Sequence, residues 1–375
     1  MTPSKTMGLR AGYTKRKNGT LQLGFTYEQK RYFVYGHTYQ ECEYKKQERI
    51  DQIKNHLLKC NDRITMSEYY DEWQKTRIHQ IEDSTKYTND RRWERMKSII
   101  GNERVARLET HQIVGLRNKL LEELAITTVN DEMTLLNQIM ESAIEDKIRL
   151  DNPCKSKKLK PIEPDEEASD TYHRALTLEE QALFFKAAKE RTFYYEALVF
   201  MISTGIRVGE LGALKWGDID YKKNVVKITK TVARISNSEY IIKNKPKTKK
   251  SIREIPLSKT AKDALMSQRR KTEILAIDGN IFPTSEGGLL HKGIINAAIS
   301  NVLEKIELSQ KIKIEHFTSH ALRATFATRA IEQGMTPQTL KTIMGHSSYK
   351  MTMDLYAHVL PNTKQEEMKK IEFVV

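Results

Sequence analysis

The first sixty residues alternate between apolar and polar positions and then change to a helical pattern. Every second residue from Leu21 to Tyr27 is apolar, which is the period of a strand that buries one face. The segment KRYFVYGHT predicts a second strand after a polar turn. Thr38 and Glu41 form a capping box that begins a helix. Residues 1–60 therefore predict a small domain built from a sheet and one helix.

Helical periodicity runs through residues 63–150. Thr65 and Glu68 form a capping box ahead of MSEYYDEWQKTR. Residues 151–172 contain three of the nine prolines and no hydrophobic period, so we expect a linker between domains there. Four helices predict a compact helical domain before this linker. The three helices that follow the first are expected over residues 85–100, 111–124 and 128–148.

Residues 173–360 predict a third, mostly helical domain with one small sheet. A capping box of Thr177 and Glu180 begins its first helix, and Gly205 ends a buried helix in YYEALVFMISTG. Three short antiparallel strands are expected in VVKITKTV, EYIIK and SIREIPL. The predicted fold class is therefore mainly α with small β-sheets. The remaining helices are expected over residues 259–274, 292–306, 319–333, 337–344 and 349–358.

The composition is that of a globular protein rather than a disordered one, because 39% of the residues are hydrophobic and 30% are charged. A length of 375 residues predicts two or three domains. Cys42, Cys60 and Cys154 form no CxxC pair, so we expect neither a disulfide framework nor a cysteine zinc site. No apolar run has the length of a membrane span, and the N-terminus lacks the apolar segment of a signal peptide. We expect a cytoplasmic protein without a membrane partner.

The net charge of +14 favours a polyanionic partner, with nucleic acid as the first candidate. The positive charge is unevenly distributed, since residues 1–60 carry twelve Lys and Arg against five Asp and Glu, a net charge of +7. KNKPKTKKSIR forms a second basic cluster. On charge alone, a basic protein from a lysine-rich proteome is an equal alternative.

Arg207 and Glu210 lie one turn apart in TGIRVGELGALKW, where Gly205 ends one helix and Arg207 begins the next. The N-terminus of a helix favours anions, so an arginine there is explained if a phosphate binds at the same place. Glu210 could then hold the guanidinium group. The alternative is a surface arginine that merely pairs with Glu210.

Three other segments carry basic or nucleophilic side chains. A lysine in the turn of KNKPKTKKSIREIPL could protonate a leaving oxygen. His320 and Arg323 share a helix face in TSHALRATFATRA because they are three residues apart. In MGHSSYKMTMDLYAHV, His346 precedes a helix and Tyr356 follows ten residues later. For each residue alone, a structural role such as a solvated lysine or a core histidine stays open.

His316 and His320 are four residues apart in EHFTSH, a spacing that zinc ligands on a helix can have. The HExxH pattern is absent, and Phe317 and Thr318 predict a loop before the helix. The sequence also lacks a phosphate-binding glycine loop and a cluster of Asp and Glu suited to two metal ions. We therefore expect neither a metal ion nor a cofactor.

Together these side chains favour covalent phosphoryl transfer on DNA. Two arginines and a lysine would neutralise a phosphate and its transition state, and histidines would bond its oxygens or move protons. Tyrosine is a weak nucleophile with a pKa of about 10. Cations around the phosphate stabilise the developing phenolate and make its attack feasible. A DNA-binding regulator without chemistry stays open as the alternative.

The phrases TGIRVGEL, SHALRATFAT and MGHSS followed by DLYAHV resemble the tyrosine site-specific recombinases of the lambda-type integrase group. The resemblance covers residues 173–360 through these motifs and residues 63–150 through architecture. Residues 1–60 resemble the three-stranded arm-binding domain of integrases from conjugative transposons and phages. The implied fold is an N-terminal three-stranded sheet with a helix, a helical core-binding domain, a linker over residues 151–172 and a mixed α/β catalytic domain. A tail at residues 361–375 would dock on a neighbouring subunit, with a frayed terminus as the alternative.

The resemblance implies a role for each candidate residue. Tyr356 would attack the scissile phosphate and form a 3′-phosphotyrosine, which conserves the energy of the broken bond. Arg207 and Arg323 would hold the non-bridging oxygens. His320 and His346 would support the phosphate and the proton transfers.

The resemblance also implies supporting residues and partners. Glu210 would brace the arginine site. Lys247 best fits the lysine that protonates the leaving 5′ oxygen, and Lys249 or Lys250 would replace it if the register shifts by one or two residues. The implied partners are double-stranded DNA with core-type and arm-type sites, a homotetramer on DNA, an excision factor and a DNA-bending protein. The implied location is the bacterial cytoplasm, with nucleoid association on DNA.

A topoisomerase of the related type, which relaxes DNA without a partner site, is the second alternative. The basic N-terminal domain and the integrase phrases favour a recombinase that integrates and excises a mobile element or prophage. Whether that element is a phage or a conjugative transposon is left open by the sequence.

Overall fold

The computed structural model divides the chain into two compact units, Met1–Glu163 and Pro164–Val375. The described residues are 10–16, 19–27, 30–54, 63–77, 79–163, 174–244, 252–272, 279–346 and 348–359. Within these stretches no helix is long and apolar enough to cross a membrane.

An antiparallel three-stranded sheet and one helix form the N-terminal part of the first unit. They confirm the predicted N-terminal fold. The alternating apolar residues of the central strand all point to the same face, where Leu21, Leu23 and Phe25 pack with Cys42 of the helix. The elements are β1 (Tyr13–Lys15), β2 (Leu21–Tyr27), β3 (Lys30–Gly36) and α1 (Tyr39–Lys54), with β2 in the middle of the sheet.

The capping at the start of α1 differs from the predicted box by one residue. Thr38 Oγ1 accepts a hydrogen bond from Glu41 N at 3.1 Å, as predicted. The Glu41 carboxylate accepts from the backbone N–H of His37 at 2.7 Å, whereas a capping box uses the N–H of the capping residue itself. Both hydrogen bonds that connect the turn before α1 to the first turn of the helix are therefore present.

Four helices with a common core follow in the first unit, as predicted. Thr65 and Glu68 form the expected capping box at the start of the first of them. Trp73, Trp93 and Leu136 are among the large side chains buried between the helices. The helices are α2 (Met66–Thr76), α3 (Asp83–Ile100), α4 (Thr110–Glu123) and α5 (Ile126–Glu145).

The first part of the predicted linker packs on these helices and belongs to the first unit, which extends to Glu163. Pro153 and Leu159 are buried. The linker prediction therefore differs from the structure over residues 152–163. Helices from elsewhere in the first unit anchor this segment, so the segment needs no hydrophobic period of its own. Residues 164–172 of the predicted linker lie outside the described residues. The anchoring hydrogen bonds include Thr110 Oγ1 to Pro153 O (3.1 Å) and Asn130 Nδ2 to Ile162 O (2.8 Å).

The second unit is mainly helical. Thr177 and Glu180 form the predicted capping box at its first helix. Gly205 ends the second helix in the left-handed conformation, with φ of +64°. The helices are α6 (Leu178–Arg191), α7 (Tyr195–Thr204), α8 (Val208–Gly212), α9 (Lys259–Thr272), α10 (Lys292–Gln310), α11 (Ser319–Glu332), α12 (Pro337–Met344) and α13 (Tyr349–Val359).

In the described residues of the second unit the strands form two small sheets, so the prediction of one sheet was wrong. The run VVKITKTV divides after Ile228 into β5 and β6, and each half pairs with different partners. Val226 lies opposite Ile255 in one sheet, and Val232 lies opposite Ile242 in the other. The pattern of apolar and polar residues in this run carries no signal for such a change of partner. The strands are β4 (Ile219–Asp220), β5 (Val225–Ile228), β6 (Thr231–Arg234), β7 (Tyr240–Lys243) and β8 (Arg253–Pro256).

Two apolar clusters position the elements that carry the candidate residues. The larger cluster joins α6, α7, α10 and the sheet of β4, β5 and β8. A smaller cluster forms where α11, α12 and α13 meet, around Ile331, Leu340 and Met344, and Tyr356 packs against it. The two clusters hold the end of α7, the start of α8 and the end of α12 in one region of the second unit.

Candidate active site

The C-terminal end of α12 is enclosed by three arginines from different elements, which we call the arginine cluster. The last carbonyl groups of a helix lack partners within the helix and form the negative end of its dipole. The end of α12 therefore offsets part of the repulsion between three positive charges. The bonds run from Arg253 Nε to Ile343 O (2.6 Å), from Arg323 Nη2 to Met344 O (2.5 Å) and from Arg207 Nη2 to Gly345 O (2.9 Å).

Glu210 is the counter-ion of the arginine cluster and is buried on α8. Its predicted pairing with Arg207 is confirmed. Burial acts to raise the pKa of Glu210, but the hydrogen bond and charge of Arg253 and the charge of Arg207 outweigh it, so the pKa is lowered. The carboxylate is therefore ionised at neutral pH. It accepts from Arg207 N (3.0 Å), Arg207 Nη1 (3.0 Å), Arg253 Nη1 (2.9 Å) and Arg253 Nη2 (2.7 Å).

The side chain of Arg323 is buried between the ends of two helices. Its Nη1 donates to the carbonyl of Gly205 at the end of α7, and its Nη2 donates to Met344. Burial and the positive charge of Arg207 lower the pKa of Arg323 to about 9, so the guanidinium stays protonated at neutral pH. Arg207 differs because 39% of its side chain is exposed. Arg207 is therefore the more accessible member of the pair for a ligand from solvent.

Replacing Gly205 with Ala should destabilise the second unit by about 1–3 kcal/mol. A Cβ there would lie 2.4 Å from Phe326 Cδ1 and 2.8 Å from Met344 Sδ, and φ of +64° strains any L side chain. The shift would also displace the carbonyl that Arg323 binds. Gly217→Ala is the control, since nothing lies within 4 Å of a Cβ at that position. Equal thermal unfolding of both variants would contradict this account.

His346 follows directly on the end of α12, beside the arginine cluster. Its backbone N–H donates to Lys341 O at 3.2 Å, as is common where a left-handed glycine ends a helix. Its Nδ1 lies 3.0 Å from Thr352 Oγ1 of α13, and Thr352 is fully buried. Burial and the charges of the three arginines lower the pKa of His346 to about 4. The imidazole is therefore neutral at physiological pH.

The low pKa of His346 predicts a loss of stability in mild acid. An unfolded histidine has a pKa of about 6.5, so between that pH and about 4 the unfolded chain binds more protons than the folded one. This contribution to stability is present above pH about 6.5 and is lost as the pH falls through about 4. His346→Gln does not titrate, so the difference in Tm between wild type and variant should shrink over that window. Parallel Tm curves would contradict the prediction.

His320 and Arg323 share one face of α11, as predicted from their spacing. Surrounding protein atoms, followed by the positive charges of Lys292, Arg323 and Arg207, lower the pKa of His320. His316 lies before the helix, and its Nε2 is 3.0 Å from Ser300 Oγ. Among the residues that the structure describes, no three His, Cys, Asp or Glu side chains are grouped as a metal site would require.

Tyr356 lies on α13, and its hydroxyl donates to the backbone carbonyl of Met335. Burial, and then Tyr349, raise its pKa. Its half-buried ring packs on the apolar cluster of α11 and α12. In the described part of the chain, the hydrogen bond of this hydroxyl is to Met335 and not to the arginine cluster. The structure thus brings together Arg207, Glu210, Arg323 and His346. The Tyr356 hydroxyl is instead hydrogen-bonded to the Met335 carbonyl.

The candidate lysines Lys247, Lys249 and Lys250 lie outside the described residues. Sequence reasoning missed Arg253 and Thr352, which contact Glu210 and His346. A signal for Arg253 exists in REIPL, where the first, third and fifth residues are buried. An arginine at an inward position of an alternating strand needs a buried counter-ion. The lysines just before it favour a solvated turn instead, which hides that signal.

A family model described as the phage integrase family matches residues 174–363. A transposase from transposon Tn916 of Enterococcus faecalis is 29% identical over 257 residues, 66% of this chain and 62% of that protein. The chain thus spans less than two thirds of that relative. The ICEBs1 integrase of Bacillus subtilis is 28% identical over 286 residues, 72% of either chain. A XerC-like tyrosine recombinase of Caldanaerobacter subterraneus is 25% identical and covers 90% of both chains.

Solved structures share the fold. The Tn1549 transposon integrase in complex with a circular intermediate DNA superposes with a TM-score of 0.72 at 24% identity, over 82% of this chain and 100% of that chain. A lambda integrase dimer bound to a core site superposes with a TM-score of 0.59 at 16% identity, over 94% of this chain and 96% of that one. At these identities the likeness supports the fold, including the N-terminal three-stranded sheet, which the predicted fold class contained.

Proposed function

We propose, because the chain belongs to the phage integrase family, that it is a site-specific DNA recombinase. It cuts and rejoins DNA through a 3′-phosphotyrosine intermediate to integrate and excise a mobile element or prophage. The observation that carries this proposal is the arginine cluster with its buried Glu210 counter-ion, next to a neutral His346. Guanidinium groups in fixed positions bind phosphate oxygens and stabilise the charge that develops during transfer.

Cleavage proceeds by exchange of one phosphoester bond for another. The Tyr356 hydroxyl gives its proton to the neutral His320 and its oxygen attacks phosphorus. The bond from phosphorus to the 5′ oxygen breaks, and Lys247 or a neighbouring lysine protonates the leaving oxygen. Arg207 and Arg323 hold the non-bridging oxygens. The hydrogen bond from Tyr356 to the Met335 carbonyl has to break before attack. The phosphotyrosine retains the bond energy, and a 5′ hydroxyl from the partner duplex then displaces the tyrosine.

His346 and His320 act as neutral groups in this mechanism. Nδ1 of His346 lies 3.0 Å from Thr352 Oγ1. In the tautomer whose Nδ1 accepts from Thr352, the proton of the ring lies on Nε2, where it can be donated to a phosphate oxygen. A neutral imidazole adds a directed hydrogen bond without adding a further charge to three crowded arginines. His320, whose pKa is also lowered, supports the same phosphate from α11.

A nicked suicide duplex, incubated with the protein in EDTA, tests this function. The duplex comes from the end of the element that carries the gene, and a second duplex carries the partner site. A covalent protein–DNA band on a denaturing gel together with strand transfer supports the recombinase. A covalent band with relaxation but no transfer favours the topoisomerase. Tight binding without any covalent band favours the DNA-binding regulator.

The proposed partners follow from relatives whose structures contain DNA. The Tn1549 integrase was solved with circular intermediate DNA, and lambda integrase as a tetramer bound to a Holliday junction. We propose double-stranded DNA with core-type and arm-type sites as partner and a homotetramer on that DNA. An excision factor and a DNA-bending protein complete the proposed assembly. The proposed tail contact through residues 361–375 involves residues outside the described chain.

We propose that residues 1–60 bind arm-type DNA, residues 63–150 bind the core site and residues 173–360 carry catalysis. Support for the first assignment comes from the solvent face of the N-terminal sheet. Phe33 and Tyr35 are 45% and 41% exposed there. The guanidinium of Arg16 lies 4.7 Å from the Tyr35 ring centre, and that of Arg31 lies 5.5 Å from the Phe33 ring centre. A sheet face that presents arginines on aromatic rings suits a DNA groove.

Replacing Arg16 with Ala should weaken binding to arm-type DNA and reduce the salt slope of log K by about 0.9, the value for one lost phosphate contact. Arg16 Nε donates to Gln22 at 3.1 Å across the sheet face, so its guanidinium is held in place. Lys46→Ala is the control, because Lys46 lies on α1 and pairs with Glu43. Affinity would be measured at several salt concentrations. Equal slopes for both variants would remove this face from the proposal.

A further inference from the structure

Arg253 is a deeply buried member of the arginine cluster and was not among the predicted site residues. Only 2% of its side chain is exposed, compared with 39% for Arg207. It grips both oxygens of Glu210 and donates from Nε to Ile343 at the end of α12. A single side chain of β8 thereby joins two elements that carry candidate catalytic residues. All three nitrogens of its guanidinium donate to Glu210 or Ile343 O, so direct contact with a substrate is disfavoured.

The charges of the cluster favour a role in the reaction beyond folding. Arg207, Arg253 and Arg323 carry three positive charges and Glu210 carries one negative charge, so the group has a net charge of +2. A phosphodiester has one negative charge, and a five-coordinate phosphorus in the transition state has two. The cluster therefore matches the transition state better than the ground state, which is the condition for catalysis. Without Arg253 the net charge would fall to +1.

The hydrogen bonds of Glu210 show how Arg253 affects Arg207. A carboxylate has about four lone-pair sites, and Arg253 fills two of those used here. If Arg253 were absent, the buried carboxylate would retain Arg207 as its single cationic partner among the described residues. An unpaired buried charge is costly, so Glu210 would draw the guanidinium of Arg207 into a closer pair. That movement would turn Arg207 away from the exposed side.

We infer that Arg253 is a positioning residue for DNA cleavage: it saturates Glu210, keeps Arg207 directed towards the scissile phosphate and holds the end of α12 that carries His346. This inference rests on the proposed recombinase function. Arg253 also begins β8, six residues after Lys247 in the sequence. Gly345 accommodates this contact, because a Cβ there would lie 3.0 Å from Arg253 Nη1.

Four variants test the role of Arg253: Arg253→Met, Arg253→Lys, Glu210→Gln and the double variant R253M/E210Q. We expect R253M to slow formation of the covalent complex on the nicked duplex by at least about 100-fold. R253K retains the charge but not the two-pronged contact, so its loss should be smaller, about 10-fold. R253M/E210Q should be faster than R253M by about 10-fold, because the neutral amide no longer competes for Arg207. Glu210→Gln alone gives the reference rate for the double variant.

Arg149→Met is the matched control for loss of a buried arginine. Arg149 also caps backbone carbonyls, with Nη1 at 3.0 Å from Val105 O and 3.1 Å from Leu108 O, in the other unit of the chain. Its replacement should lower thermal stability while the cleavage rate of the folded protein stays within about threefold of wild type. Cleavage rates of all variants are compared below their unfolding temperatures.

A second measurement does not depend on cleavage. In the Tyr356→Phe background, affinity is compared for a duplex with a normal scissile phosphate and one with a neutral methylphosphonate there. We expect the protein to bind the duplex with the charged phosphate more tightly. R253M should reduce this preference, and R253K should reduce it less strongly. If both variants keep this preference and cleave within about threefold of wild type, as the Arg149 control does, Arg253 is only structural and the inference fails. If wild type forms no covalent complex, the proposed function fails, and the phosphate preference alone decides the inference.

Discussion

Tyr356→Phe is expected to abolish the covalent protein–DNA complex and to leave DNA affinity nearly unchanged. The substitution removes the only atom of the side chain that can attack phosphorus. It also removes the hydrogen bond to the Met335 carbonyl, at a cost of about 1 kcal/mol in folding stability. The ring keeps its packing on the cluster of α11 and α12, so the fold and the DNA-binding surfaces should persist. The measurement is the denaturing-gel assay on the nicked duplex in EDTA.

Tyr349→Phe is the matched control for this prediction. Tyr349 lies at the start of the same helix, α13, and is 46% exposed. Tyr349 lies seven residues before Tyr356 and is not the proposed nucleophile, so Tyr349→Phe should form the covalent complex at the wild-type rate. A covalent band in Tyr356→Phe would assign the nucleophile to another residue. A band lost in both variants would show that the helix, rather than the Tyr356 hydroxyl, is sensitive to substitution.

Arg323→Met is expected to slow cleavage by about 100- to 1,000-fold and also to lower the free energy of unfolding by about 1–3 kcal/mol. Both effects have the same origin. The guanidinium is buried and donates to the carbonyls of Gly205 and Met344, which become unsatisfied when it is removed. Its charge is then also missing when negative charge develops on the phosphate. Single-turnover cleavage and chemical denaturation measure the two effects separately.

The comparison with Arg207→Met separates catalysis from stability. Arg207 is substantially exposed, so its loss should slow cleavage to a similar extent with a smaller change in unfolding free energy. Arg329→Met is the control on α11, where Arg329 pairs with Glu332 and donates to Leu176 O. It should alter stability without slowing cleavage. If Arg329→Met slowed cleavage as much as Arg323→Met, the effect would belong to α11 as a whole.

The local sequence was sufficient to predict the features that depend only on residues a few positions apart in the chain. The capping boxes at Thr65 and Thr177 formed as predicted because a side chain three residues away completes each of them. The end of α7 at Gly205 follows from the left-handed conformation that glycine adopts readily. The pairing of Arg207 with Glu210 and the shared face of His320 and Arg323 follow from helix geometry.

Contacts between distant segments decided the rest. Whether VVKITKTV continues in one sheet or divides at Ile228 depends on β7 and β8, which have comparable apolar patterns. The segment from Pro153 to Glu163 has the composition of a linker but is anchored by helices about 30 to 40 residues earlier in the chain. Neither the division of VVKITKTV nor the anchoring of the segment from Pro153 to Glu163 produces a periodic pattern in its own sequence.

The sequence by itself determined a mainly helical chain with a basic N-terminal sheet and the set of side chains suited to phosphoryl transfer. Tertiary structure alone decided that Arg253 shares Glu210 with Arg207, and that the Tyr356 hydroxyl lies on the Met335 carbonyl. The reason is that helix and strand periods follow from bonds within a few residues. The arrangement of charges around the end of α12 depends instead on long-range packing, which brings residues more than a hundred positions apart within hydrogen-bonding distance.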